Sequence, residues 1–271
     1  QIDSILALMS EQDELIISYD KSIDNTWNII EEISQTDSRI KIVTNKNKPS
    51  VIGNFNNSVG YCSGEYIFLA DQDDIWINDK INKMIEVLQS KENVLAICNG
   101  NIINETGKLV DRDLFQLSHI SVNPVSNIIK GTYWGCCMAF KRELLEFVFP
   151  FPSDYDICHD LWIGVLARCK GKIALVNEVC VLHRIHGNMV LSLLWGQLSS
   201  KTIPHVPSSA VFIHHSSDSR HAVLFRLSDF CGIFSFPELA QPVRKTHGNR
   251  RLRLRHRTVH VYLCRNSRSC L

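Results

Sequence analysis

Three carboxylates stand within four positions at the end of an uncharged run. Tyr66-Ile67-Phe68-Leu69-Ala70 passes directly into Asp71-Gln72-Asp73-Asp74. Asp71 and Asp73 are two apart, so in an extended turn both can face one object. Carboxylates this close repel unless a proton or a cation stands between them. Mg²⁺ or Mn²⁺ held this way usually carries substrate phosphates as well. The same residues also read as a solvated acidic turn capping a helix that starts at Asn78. Their place favours the cation, because open α/β sheets bind ligands beyond the carboxyl ends of their strands.

Two further clusters carry chemistry. Cys158-His159-Asp160-Leu161-Trp162 puts Asp160 at a helix start, where the amide dipoles keep a carboxylate ionised. That suits a helix cap, and equally a base that takes a proton from an alcohol. In His183-Arg184-Ile185-His186-Gly187-Asn188, strand alternation sends His183 and Ile185 one way and Arg184 and His186 the other. Arg184 suits a clamp on a diphosphate beside an acidic cation site. His186 reads as a metal ligand, a phosphate donor or a plain surface imidazole.

The elements that must position these groups alternate. A helix is expected over residues 1–9, strands at 15–17, 39–44, 66–70 and 94–98, and helices from Trp27, over 51–61 and over 78–88. Strand and helix alternating at short spacing predict an α/β sheet, and an uncharged run such as 66–70 suits a central parallel strand. Later, a hairpin is expected around Glu105-Thr106-Gly107. Strands follow at 135–140, 172–176 and 180–186, and helices at 141–148 and 161–169. Beyond Leu194 the periodicity fades.

The 271 residues carry 29 Lys plus Arg and 28 Asp plus Glu, a net +1 that conceals a split. Residues 1–194 sum to −8 and residues 195–271 to +9, and the tail holds 7 of the 11 His. The reading is therefore a domain over 1–192 and a basic Ser/His/Arg-rich tail over 193–271, poorly ordered or aberrant. Ten Cys without any C-x-x-C pair fit buried free thiols in a reducing cytosol better than zinc. No apolar run approaches the ~20 residues of a membrane span.

Taken in order, ELIISYDKSIDNTW, NKNKPSVIGNFNNSVGYCSGEYIFLADQDDIW, HDLW and HRIHGN resemble the family 2 inverting glycosyltransferases with the GT-A fold. Within that family the bacterial rhamnosyltransferase-like polysaccharide enzymes are the nearest in pattern. The resemblance covers roughly residues 1–192. It implies a GT-A, Rossmann-like nucleotide-diphospho-sugar transferase fold with a mostly parallel sheet flanked by helices. It implies Asp20 and Ser22 against the donor nucleoside and Asp71 on ribose or metal. Asp73, with Asp71 and His186, would hold Mn²⁺ or Mg²⁺ at the diphosphate, and Arg184 would close over it. Asp160 becomes the base that deprotonates the acceptor hydroxyl, with His159 and Trp162 on the acceptor side. The partners implied are a nucleoside-diphosphate sugar and a polysaccharide or lipid-linked saccharide, in the cytoplasm at the inner face of the plasma membrane.

Two departures accompany the resemblance. Tyr19 and Lys21 replace the Asp and Gly of the usual acidic loop, and the expected opening strand is missing, so Gln1 already lies in the helix that follows it. The tail has no family pattern and reads as a frameshift or fusion scar. Rival readings are a non-catalytic remnant and a protein that contacts anionic membrane surface through its basic tail. The run Arg250 to Arg257 carries no base-reading module, so specific nucleic-acid binding is not expected.

Overall fold

The computed structural model describes residues 1–46, 50–151 and 158–186, together with the strands Val211–His214, Val223–Arg226 and Val259–Arg265. The run 250–257 and the Gly187-Asn188 pair lie outside the described residues. Two compact units divide the chain, one of residues 1–194 with 257–271 and one of residues 195–256.

In the first unit the order is α1 (Ile2–Leu6), β1 (Asp13–Tyr19), α2 (Thr26–Thr36), β2 (Ile40–Thr44), α3 (Val51–Val59), β3 (Tyr66–Ala70) and β4 (Ile75–Trp76). It continues with α4 (Lys80–Leu88), β5 (Asn93–Ile103), β6 (Leu109–Asp113), α5 (Leu114–Ser118), α6 (Pro124–Lys130) and β7 (Met138–Lys141). It ends with α7 (Arg142–Val148), α8 (His159–Lys170) and β8 (Lys172–Arg184). In the second unit β9 (Val211–His214) pairs antiparallel with β10 (Val223–Arg226). Strand β11 (Val259–Arg265) belongs to the first unit.

Among the described residues, the first unit's sheet runs β2-β1-β11-β3-β7-β5-β8-β4, with β6 on β5. Strands β1 and β2 are parallel, as are β5 and β8. Strand β11 is antiparallel to both β1 and β3, and β7 is antiparallel to both β3 and β5. Strands β1, β2, β3, β5 and β8 therefore share one direction, and β4, β6, β7 and β11 oppose it. The sheet is mixed rather than mostly parallel, because β7 and β11 are each slotted between strands of the common direction.

Strand β11 occupies the place between β1 and β3 where the sequence reading expects a gap. Its sequence, Val-His-Val-Tyr-Leu-Cys-Arg, alternates and is rich in β-branched and aromatic types, which is a strand signal. It escaped notice behind the arginine run that precedes it.

Every residue of β3 is buried, so this strand is covered on both faces. Ile16 and Ile17 of β1, Leu95 and Ala96 of β5, and Phe140 of β7 extend the same core. Helix α3 starts where Ser50 accepts a hydrogen bond from the Gly53 N–H at 2.9 Å, an N-cap. Its Asn54 and Asn57 turn inward to Ser18: the Ser18 hydroxyl donates to Asn54 Oδ1 (2.7 Å) and accepts from Asn57 Nδ2 (2.9 Å). The Lys80 ammonium is fully buried. It donates to the Cys136 carbonyl at 2.6 Å and lies 3.8 Å over the Trp76 ring, which replaces its lost hydration.

Several elements differ from the sequence expectation. Residues 135–137 form a 3₁₀ turn rather than the start of a strand, so β7 begins at Met138. The strands expected at 172–176 and 180–186 are one, β8, which carries register shifts against β5. Helices α5 and α6 lie between the expected hairpin and residue 135, a stretch for which the sequence reading names no element.

Phe68 sits at the centre of β3 with no exposed surface and packs against Trp76 at 5.8 Å between ring centroids. Phe68→Ala is expected to cost about 3–5 kcal/mol in urea unfolding at an unchanged m-value. A loss below about 1 kcal/mol would mean β3 is not a covered central strand.

Candidate functional site

Strands of common direction present their C-terminal ends on one edge of the sheet. Tyr19, the last residue of β1, pairs with Val259, and Ala70, the last of β3, pairs with Val261. Asp20 and Asp71 thus leave the sheet on the same edge, two strand spacings or about 10 Å apart. Strand β8 runs the same way and brings residues 183–186 to that edge.

At the end of β1, Asp20 is buried and its Oδ1 accepts from Asn45 Nδ2 at 2.7 Å. Asn45 follows β2 and fixes how this carboxylate points, a contact the sequence reading missed. The Ser22 hydroxyl donates to Asp24 Oδ1 (2.7 Å) and lies 3.0 Å from the Tyr19 hydroxyl, which also accepts from the Ser22 N–H (3.0 Å). Asp24 in turn accepts from the Thr26 N–H at the start of α2. Hydrogen bonds from Thr26 and then Ser22 hold its carboxyl down to about 2. Tyr19, the departure from the usual pattern, therefore ties this loop together.

At the end of β3 the three carboxylates separate in role. Asp74 is fully buried. Its Oδ1 accepts from His183 Nδ1 at 2.9 Å and from the Arg184 N–H at 3.1 Å. Asp73 is partly exposed, and its Oδ2 lies 2.8 Å from His186 Nε2. Asp71 is pushed up to about 7, first by burial and then by the negative charge of Asp74, with Asp73 and Asp160 adding to it and His183 opposing. Asp160, 89 positions further along the chain, is thus within electrostatic reach of the acidic loop. It lies in the first turn of α8, where its Oδ1 accepts from the Leu161 N–H at 2.7 Å.

The donor set fits a divalent cation. Asp73 and His186 already approach as two ligands of one ion would. Further in, a carboxylate oxygen each of Asp71 and Asp74, Cys136 Sγ and a His183 ring nitrogen lie within 4.8 Å of one another. Asp74 Oδ2 is buried and has no hydrogen-bond partner among the described residues. Such crowding of carboxylates is what a nearby cation relieves. A protonated His183 offers no lone pair to that inner group. Burial works against its charge, but the Cys136 sulfur and the Asp74 carboxylate outweigh it and push it up to about 12.

Three expected residues sit differently from a simple open cleft. His159 is buried: its ring stacks on Phe55 at 3.8 Å between centroids, and burial holds it down to about 3, so it is neutral. It fits only because residue 135 is glycine, where a Cβ would stand 2.5 Å from its Nε2. Trp162 donates through Nε1 to the Val148 carbonyl at 2.9 Å and packs on the core. Arg184 spends Nε on the Asp73 carbonyl and a terminal nitrogen on the carbonyls of Asn104 and Glu105, each at 3.1 Å. Neither Asp74 nor His183 was singled out from sequence as part of the site, although both lie inside the motifs. Cys136 carries no sequence signal at all.

The raised Asp71 has a pH consequence. Between about 4 and about 7 the folded chain holds a proton there that the unfolded chain has lost. Stability from this group is complete below about 4 and falls away as pH rises through about 7, and a cation competes with the same proton. Mn²⁺ is therefore expected to raise the thermal midpoint more at pH 8 than at pH 6. An equal shift at both, with Asp71→Asn unchanged, would separate Asp71 from the cation.

Comparison with known proteins accords with this geometry. Residues 2–149 match the family model for glycosyl transferase family 2. An uncharacterized glycosyltransferase of Nostoc sp. is 31% identical over 193 residues, covering 69% of this chain and 60% of its own length. An Escherichia coli UDP-Glc:α-D-GlcNAc-diphosphoundecaprenol β-1,3-glucosyltransferase, WfgD, is 31% identical over 70% of this chain and 73% of its own. The dTDP-rhamnosyl transferase RfbG of Shigella flexneri is 30% identical over 69% of this chain and 68% of its own. The chain thus spans about three fifths to three quarters of the length of these relatives. In fold it is similar to S. aureus TarS solved with UDP-GlcNAc, with TM-score 0.54 at 14% identity, covering 69% of this chain and 54% of that one. The mannosyltransferase of Pyrobaculum calidifontis, solved with GDP-Man and Mn²⁺, aligns with TM-score 0.50 at 19% identity, over 67% and 51%. These matches, with the mixed sheet and the acidic end of β3, place the chain in glycosyl transferase family 2, in a GT-A-like α/β fold.

Proposed function

We propose that this chain transfers a hexosyl group, with inversion, from a nucleoside-diphosphate sugar to a hydroxyl of a saccharide acceptor. One observation carries the reading: segments 71–74 and 183–186, far apart in sequence, meet at one edge of the sheet, and Asp160 is near enough for its charge to act on Asp71. That arrangement supplies the two things such a transfer needs, positive charge for the departing diphosphate and one base for the attacking oxygen.

In this reading Asp20, oriented by Asn45, and the loop carrying Ser22 receive the nucleoside. Asp73 and His186, with Asp71, hold the divalent cation, which when bound neutralises the donor phosphates. Arg184 contributes its remaining positive field to the same edge while its donors anchor the hairpin between β5 and β6. Asp160 accepts the proton of the acceptor hydroxyl, which attacks the sugar C1 on the face opposite the diphosphate. No covalent intermediate is needed. His159, buried and neutral, and Trp162 support α8 from beneath and so set where Asp160 stands.

The relatives support a donor carrying glucose or rhamnose and an acceptor that is a polysaccharide or a lipid-linked saccharide. Among the described residues no helix is long and apolar enough to cross a membrane. A lipid-linked acceptor would bring the chain to a membrane surface, where the basic tail of +9 favours anionic lipid. We place it at the inner face of the plasma membrane.

Asp160→Asn is expected to keep cation-dependent binding of UDP or dTDP, measured by calorimetry, and to lose at least about 10²-fold in transfer. Asp73→Ala is expected to lose the cation dependence itself. Loss of nucleotide binding in Asp160→Asn would make this residue structural, and transfer at wild-type rate in both variants would remove the assignment.

A further inference from the structure

Asp74 and His183 are both buried at the acidic edge, with side chains 0% and 10% exposed. Asp74 Oδ1 takes two hydrogen bonds, and both come from the end of β8: His183 Nδ1 at 2.9 Å and the Arg184 N–H at 3.1 Å. On this side of β8 the sheet ladder has already stopped. The short β4 pairs only Ile75 with Leu182 and Trp76 with Val181. From His183 onward the Asp74 carboxylate takes over from the ladder.

What lies beyond is the working end. Arg184 Nε reaches the Asp73 carbonyl, and two residues on His186 Nε2 reaches Asp73 Oδ2 at 2.8 Å. That last contact is more than half exposed on the histidine side, so water competes for it. The Asp74–His183 contact is shielded, and a charge-assisted hydrogen bond in low dielectric is both stronger and more costly to break. The pair is held in turn by a firm floor, in which Trp134 packs on the His183 ring and Lys80 fixes the Cys136 backbone carbonyl; the Cys136 thiol, 3.7 Å from His183 Nδ1, is a weak partner and adds little.

We propose that Asp74 and His183 form a buried latch that sets where Arg184 and His186 stand over the acidic loop. Both are positioning residues: cation affinity depends on a pair that does not itself hold the ion. The inference deepens the proposed function and rests on its assignment of Asp73 and His186 as cation ligands. Supporting partners of this kind change metal affinity by about 10–100-fold when removed.

The test is Mn²⁺ titration of the full chain, read by electron paramagnetic resonance without nucleotide or acceptor, with folding checked by a circular dichroism melt. His183→Asn keeps an N–H donor near the place of Nδ1, whereas His183→Leu keeps volume and removes the donor. The latch predicts that His183→Asn binds Mn²⁺ within about 3-fold of wild type and that His183→Leu binds about 10–100-fold more weakly. Cys136→Ala should bind as wild type does. Equal affinity in wild type and His183→Leu, or equal loss in the Asn and Leu variants, overturns the latch. Loss of Mn²⁺ in Cys136→Ala also overturns it, because the ion would then sit among Asp71, Asp74, Cys136 and His183. Asp73→Ala separates the two levels of the argument. If it binds Mn²⁺ as wild type does, the ligand assignment fails; if it abolishes binding while His183→Leu does not weaken it, only the latch fails.

Discussion

Like charges crowded at the end of one strand set the terms for everything else in this molecule. Asp71, Asp73 and Asp74 leave β3 together, and burial raises the cost of their mutual repulsion. The fold answers with cationic and hydrogen-bonding groups from the end of β8, more than a hundred positions later. His183 meets Asp74, and His186 meets Asp73. The compensation is incomplete: one oxygen of Asp74 is unsatisfied among the described residues and Asp71 holds its proton near neutrality. Residual negative potential of this kind, at a sheet edge, is a place where a divalent cation gains most.

Topology turns that local balance into a site. Five strands of common direction deliver their ends to one edge, and the opposing strands β7 and β11 act as spacers between them. The spacing separates Asp20 from Asp71 by roughly the width of two strands, about 10 Å. A nucleoside diphosphate has a base and a phosphate pair to place, and two anchored positions at such a distance suit both. Helix α8 then brings Asp160 within electrostatic reach of Asp71. Its seat is exact in steric terms, because His159 beneath it leaves no room for a side chain at Gly135.

Much of this was legible in the sequence, and for physical reasons. The uncharged run 66–70 announces a covered strand, and the acidic turn behind it can only mean a solvated cap or a cation site. Asp160 and the HRIH segment were separable as candidates because residue type and local spacing restrict their chemistry. Burial was not legible. His159 reads as a site residue and is a core ring stacked on Phe55. Asp74 and His183 look like spare members of their motifs and form its shielded pair, because only the register of β8 against β4 and β5 brings them together. The middle of the sheet was also out of reach. Strand β11 follows a run of arginines that hides an otherwise plain alternating pattern, and pairing across some 190 positions leaves no local trace.

The most direct test of the account is an anomalous difference map from crystals grown with Mn²⁺ and UDP. The account predicts one Mn²⁺ at about 2 Å from an oxygen of Asp73 and from His186 Nε2, in contact with the diphosphate. A peak seated instead on Cys136 and His183, or no peak at the end of β3, would contradict it.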